Sequence, residues 1–212
     1  MKIFKQNILS EEVIDSKISY LIDNPFNLDT KMDNLKESYA DLKLSPDGIN
    51  RLVEFIFNKL NINIRFSRIG DNAERFDAIL KLDDKIGLIE IQVPSEYLLD
   101  TPRNLLDNLA VSISRRNYKK NDIIPIVICW TYPNKRTDYW KVIDDIYKVL
   151  GIKIYTISIL SLALMYWKGK NFSINDQFFL HGDKTELKEL KELLIDCKID
   201  LNKYPGFFGN VK

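Results

Sequence analysis

Asp77, Glu90 and Gln92 are the residues whose types and spacing point to chemistry. Twelve residues separate Asp77 from Glu90, and one separates Glu90 from Gln92. All three lie in the stretch FDAILKLDDKIGLIEIQ, Phe76 to Gln92. Residues 76–82 alternate and are mostly apolar. Asp83, Asp84, Lys85 and Gly87 supply turn chemistry, and the chain is apolar again from Ile86 to Val93. The pattern predicts two strands and a tight turn. Strand side chains alternate, so Leu88, Glu90 and Gln92 share one face while Ile89, Ile91 and Val93 share the other. Glu90 stands between two isoleucines in a run apolar enough for a central strand. A carboxylate there is costly unless it is paired or bound to a metal. A turn near 83–86 brings Asp77 and Glu90 to the same end of the hairpin. Two carboxylates and an amide that converge beside water and phosphate suit Mg²⁺ or Mn²⁺.

The order Asp, twelve residues, Glu, one residue, Gln resembles the PD-(D/E)XK nuclease superfamily, with Gln where most members have Lys. The spacing and the apolar strand around IEIQ are similar to archaeal Holliday-junction resolvases and their relatives in archaeal spindle-shaped viruses. The resemblance covers roughly residues 45–158 as a fold pattern. It implies phosphodiester hydrolysis, with Asp77 and Glu90 on one or two divalent ions and the backbone carbonyl of Ile91 as a further ligand. Gln92 would then orient the attacking water, although an amide cannot add the positive charge of a lysine. Lys81 shares strand parity with Asp77 and is either a substitute cation or an exposed strand lysine. In the superfamily the helix before the first strand often offers a Glu to the metal. Glu54 is the matching residue here, with an exposed helix carboxylate as the other reading.

The elements that must position these residues follow from local pattern. Residues 1–42 read as a helical extension. A helix starts after Ser10, carries Ile14, Ile18 and Leu21 inward and breaks at Asn24-Pro25; a second runs from about Asp29 to Leu42. Ser45-Pro46 starts a helix whose stripe is Ile49, Leu52, Val53, Ile56 and Leu60, with Glu54 on the polar arc. Ile62–Ile69 alternates as a strand, with a turn at Gly70-Asp71-Asn72. Ser67, Arg68 and Arg75 are either phosphate contacts or solvated edge groups. Val93-Pro94-Ser95 ends the second hairpin strand, and Thr101-Pro102 opens a helix with Leu105, Leu106, Leu109 and Ile113 inward. Ile123–Trp130 is a near-continuous apolar run, the mark of a strand buried on both faces. Asp138–Leu150 is a helix with Trp140, Ile143, Ile146 and Tyr147 inward, ended by Gly151, and Ile152–Ile157 is a further buried strand. Strand, crossover helix, strand implies parallel pairing. Helices follow at Ser158–Lys168 and Thr185–Cys197. The expected fold is a three-layer α/β/α, restriction-endonuclease-like core over 45–158, with a central mixed sheet. It forms a single domain with helical extensions at 1–42 and 159–212.

Composition narrows the class. The chain has 212 residues, 45% hydrophobic and 29% charged, with net charge +1. That is ordinary globular composition, without a global attraction for polyanions. The basic stretch runs from Arg103 to Arg136, with seven Lys/Arg against two Asp/Glu. Within it Arg115, Arg116, Lys119 and Lys120 are the candidate nucleic-acid contacts, the alternative being cations that favour a helix C-terminus. Trp130 and Tyr132 either stack on bases or pack in the core. Cys129, Cys197 and the single His181 make no zinc set and suggest an intracellular, reduced protein. The N-terminus turns acidic at once, unlike a signal peptide, and the longest uncharged run, Ile154–Trp167, has 14 residues, too short to span a bilayer. No glycine-rich phosphate loop, GxSxG or HExxH is present. The expectation is a metal-dependent DNA endonuclease acting on branched or recombination DNA as a homodimer. Two alternatives stand beside it: a nuclease-fold DNA-binding module without full catalysis, and a protein-interaction module of a virus or mobile element.

Overall fold

A computed structural model describes residues 11–45, 47–67, 76–82, 84–93, 99–182 and 185–209. Expectations at Ser10, Pro46, Arg68, the turn at 70–72, Arg75, Asp83 and Pro94-Ser95 lie outside the described residues. The chain divides into two compact units, Met1–Ile56 and Phe57–Lys212. The boundary falls within a helix.

The first unit is helical. Helix α1, Glu11–Asp23, buries Ile14, Ile18, Leu21 and Ile22. Asn24 stops it: its amide donates to the carbonyls of Tyr20 (2.7 Å) and Leu21 (3.1 Å) and its Oδ1 accepts from Phe26 N–H. Helix α2, Leu28–Glu37, is capped by Asn27, whose Oδ1 accepts from Thr30 N–H at 2.9 Å. The expected single helix to Leu42 is two, because the Ser38 hydroxyl bonds back to the carbonyl of Leu35 and α3 restarts at Tyr39–Leu44. Helix α4, Gly48–Lys59, is tied to α1 by Arg51, which pairs with Glu11 (2.7 Å) and Asp15 (2.9 Å).

The second unit holds a five-stranded sheet in the order β1-β2-β3-β4-β5. The strands are β1 Asn63–Phe66, β2 Ala78–Leu82, β3 Lys85–Gln92, β4 Ile123–Cys129 and β5 Tyr155–Ser158. The first three pair antiparallel and the last three parallel, so the sheet is mixed, as expected. Helices α5 (Thr101–Arg116) and α6 (Asp138–Leu150) are the two crossovers. Right-handed crossovers stepping in one direction put both on the same sheet face. Tyr139 of α6 confirms this at β5, its hydroxyl 2.7 Å from Thr156 Oγ1. The α6 inner face is Tyr139, Trp140, Ile143 and Ile146; Tyr147, expected inward, is 50% exposed, because it falls one step around the helix from Ile146. Gly151 ends α6 at φ 63°, the left-handed cap its lack of Cβ permits.

Gly87 was expected in the turn, but the register Leu82↔Lys85 places it within β3. A Cβ there would lie 2.9 Å from Ile126 Cδ1 and 3.1 Å from Leu80 Cβ, so the glycine lets the two neighbouring strands close over it. The 159–212 region, expected as an extension, contributes to the core. Helix α7, Ile159–Trp167, is apolar all round and buries every residue from Ile159 to Met165. Leu180 bridges to Thr156 at the β5 edge, and α8, Lys188–Asp196, packs through Leu190, Leu193 and Leu194. Trp130 and Tyr132 are buried, which takes the core-packing alternative for both. Among the described residues no helix is long and apolar enough to cross a membrane.

Candidate active site

The hairpin register decides what meets what. Ala78 pairs with Ile89 and the ladder ends there; Asp77 N–H then donates to the Ile89 carbonyl at 3.0 Å while its own carbonyl accepts from Ser67 N–H, which leaves Asp77 beside Glu90 at the strand start. The two carboxyls are neighbours, close enough for each to shift the titration of the other. Asp77 Oδ2 also accepts from Ile91 N–H at 2.6 Å, taking the place of a backbone acceptor where β2 begins. In an antiparallel pair the N–H and C=O of one residue face the same neighbour, so the Ile91 carbonyl is directed to the Asp77 side as well.

Helix α5 holds the other flank. The side-chain amide of Asn108 donates to Glu90 Oε1. Thr101 Oγ1 donates to Gln92 Oε1 at 3.3 Å. Thr101, Leu105, Asn108, Leu109 and Ser112 form the buried row of α5, so its inner face is partly polar. The expected inner residues Leu106 and Ile113 are only half-buried. Asn108 and Thr101 are site residues that the hydrophobic pattern missed. Their signal was present: polar residues at i, i+4, i+7 and i+8 spacing with Leu105 and Leu109, facing a strand that carries its own carboxylate.

The electrostatics follow from crowding and burial. Burial, and then the charge of Asp77, pushes the Glu90 carboxyl up to about 8 from its ordinary 4.5. The Asn108 donor acts the other way. Asp77 is raised too, chiefly by burial, with the Ile91 N–H and the Glu90 contact opposing it. Two carboxyls this close cannot both ionise cheaply, so they share a proton or a cation. Each has one oxygen engaged by a donor, Ile91 N–H or Asn108, and a second outside those bonds. Gln92, with its carbonyl oxygen taken by Thr101, presents its amide N–H groups as donors. The set fits a hard divalent cation: two carboxylates, a backbone carbonyl and an adjacent donor, half-buried at a strand end. Among the described residues no third His, Cys, Asp or Glu joins the pair.

Of the remaining expected residues, Glu54 is an exposed residue of α4, within the first unit. Lys81 is exposed at the turn end of β2, four strand residues or about 13 Å from Asp77, beyond the reach of its side chain. The exposed-lysine reading therefore holds. Arg116 lies over the Phe76 ring, 5.1 Å from its centroid, next in the chain to Asp77. Arg115 and Lys119 are exposed, and Lys120 donates to the Leu150 carbonyl at the end of α6, 2.7 Å away.

No family model matches this chain, and no curated protein matches it. Its fold is similar to a structure of restriction endonuclease FokI, with TM-score 0.45, 10% identity and 79% of this chain covered. It is likewise similar to a structure of FokI bound to DNA, with TM-score 0.45, 12% identity and 78% of this chain covered. The chain spans about a third, 32%, of each of those chains.

Proposed function

We propose that this chain is a divalent-metal-dependent DNA endonuclease that hydrolyses phosphodiester bonds, with Asp77 and Glu90 as its metal-holding carboxylates. The observation that carries the reading is the pair of neighbouring carboxyls at the hairpin end, Asp77 held by Ile91 N–H and Glu90 by Asn108, with both raised. A fold with no use for that pair would replace one member by an amide or an aliphatic side chain and gain stability. Mg²⁺ or Mn²⁺ bound between them, with the Ile91 carbonyl, would lower the pKa of a bound water and neutralise charge on the scissile phosphate. The protein's own part is orientation. Asn108 fixes the Glu90 carboxyl, Ile91 N–H fixes Asp77, and the Gln92 amide donates to the water or to a phosphate oxygen. Branched or recombination intermediates are the substrate class in this reading, cut by a homodimer because two strands need two sites.

One observation favours the alternative of a DNA-binding module without full catalysis: an amide stands at Gln92, where a cation would otherwise assist. Labelled linear, flapped and four-way DNAs incubated with Mg²⁺ or Mn²⁺ separate the two. Wild type should cleave at least one of them, and Asp77→Asn should lose at least about a hundredfold in rate while still binding. Binding without cleavage by wild type on the whole panel would sink the endonuclease reading in favour of the module.

A further inference from the structure

We propose that the loop joining β4 to α6 holds the phosphate backbone of a nucleic-acid strand beside the Asp77–Glu90 pair, through Lys135 and Arg136. This rests on the nuclease reading and names a surface that the charge pattern of the sequence did not single out.

Three observations support it. The loop walls an open cavity of about 560 Å³ whose charged lining residues are Lys135 and Arg136, with no carboxylate among them. Neither residue has an acidic partner among the described residues. Other cations of the chain do have such partners: Arg103 pairs with Asp100 at 2.9 Å, Lys141 with Asp138 at 3.1 Å and Lys153 with Asp176 at 2.8 Å. Lys135 and Arg136 thus form an unopposed pair of cations in one hollow.

The loop is also built to hold its shape. Asn134 Oδ1 accepts from Arg136 N–H at 3.0 Å, and the Asn134 carbonyl accepts from the Thr137 hydroxyl at 2.7 Å. Trp140 Nε1 donates to the Pro133 carbonyl at 3.2 Å, and Tyr132 N–H to the Gly206 carbonyl at 2.8 Å. Two exposed cationic side chains are thus carried on a braced backbone.

Placement ties the hollow to the carboxylates. Strands β3 and β4 run parallel with Gln92 opposite Cys129, so the loop leaves β4 at the same edge as Gln92 and Glu90. Adjacent strands are about 4.8 Å apart. Ligands of open sheets with parallel strands collect at this carboxyl edge. Lys119 and Lys120 instead precede Ile123, at the amino end of β4, and the register runs from Ile86↔Ile123 to Gln92↔Cys129. Six steps of strand put them about 20 Å from that edge. Two cations with donors only, and no array of side chains able to read base edges, suit sequence-independent contact with phosphates.

The test uses the full chain and one DNA that wild type binds, without divalent metal. Anisotropy gives the binding constant across a salt series. Neutralising two phosphates contributes about 1.8 to the slope of log K against log salt on duplex DNA and about 1.4 on a single strand. Lys135→Gln/Arg136→Gln should lower the slope by that amount, Lys135→Arg/Arg136→Lys should leave it in place, and Arg115→Gln/Lys119→Gln should change it less. An unchanged slope in the glutamine variant, with wild type still binding, overturns this proposal and leaves the endonuclease reading standing. No binding by wild type at low salt overturns both.

Discussion

Replacing Glu90 by Gln should flatten the dependence of stability on pH. The Glu90 carboxyl is raised from 4.5 to about 8, first by burial and then by the charge of Asp77. A carboxyl raised on folding is held neutral by the fold. Its contribution is therefore fully present below 4.5 and is lost as pH rises through about 8. Across that window, at 1.36 kcal/mol per pH unit, the loss is on the order of 5 kcal/mol. Asp77 is raised as well, so part of the loss belongs to the pair rather than to Glu90 alone. Glutamine keeps the shape of Glu90 and stays neutral, and its carbonyl oxygen still accepts from Asn108. The variant should match wild type near pH 5 and exceed it by several kcal/mol near pH 8.5. Urea unfolding followed by tryptophan fluorescence measures this, because Trp130, Trp140 and Trp167 all lie in the unit that begins at Phe57. Metal should be absent, since a cation between the carboxylates supplies what the proton supplies. Adding Mn²⁺ near pH 8.5 should then restore wild type far more than the variant. Equal slopes of stability against pH in the two proteins would refute the electrostatic account, and with it the claim that the two carboxyls face each other.

Two further substitutions test the surroundings of the pair. Gln92→Lys puts an ammonium beside both carboxyls; it should lower the Glu90 titration and, on the endonuclease reading, raise the metal-dependent cleavage rate about tenfold or more. A fall in rate with intact folding would show that the Thr101–Gln92 contact matters more than the missing charge. Asn108→Leu removes a buried donor at nearly constant volume and leaves Glu90 Oε1 unsatisfied, at a cost of about 1–3 kcal/mol. Because the Asn108 bond holds the Glu90 pKa down, the deficit should be larger near pH 8.5 than near pH 5 in the same urea assay.

The parts of this site that were legible beforehand are those written in short-range alternation. A period of two from Ala78 to Leu82 and from Lys85 to Gln92 makes the hairpin, and the turn between Leu82 and Lys85 brings Asp77 and Glu90 to the same hairpin end without reference to the rest of the chain. The mixed sheet followed in the same way, because a hairpin is antiparallel and a strand reached through a helix is parallel. What escaped was fixed by partners distant in sequence. Hydrophobicity chose Leu105, Leu106, Leu109 and Ile113 as the inner face of α5, yet the helix turns Asn108 and Ser112 inward instead. The cause lies eighteen residues away: Glu90 needs a donor in a half-buried setting, and Asn108 supplies one. Likewise, Lys119 and Lys120 close a run of cations that is dense in sequence, yet they fall at the amino edge of β4. Lys135 and Arg136, a sparser pair, fall at the carboxyl edge because seven strand residues intervene. Charge counted along a chain cannot distinguish the two ends of a strand, whereas a phosphate chain bound at one of them would. A buried carboxylate on a strand is therefore also information about the helix that covers it. Where polar residues recur on that helix at the spacing of its apolar row, they belong inward.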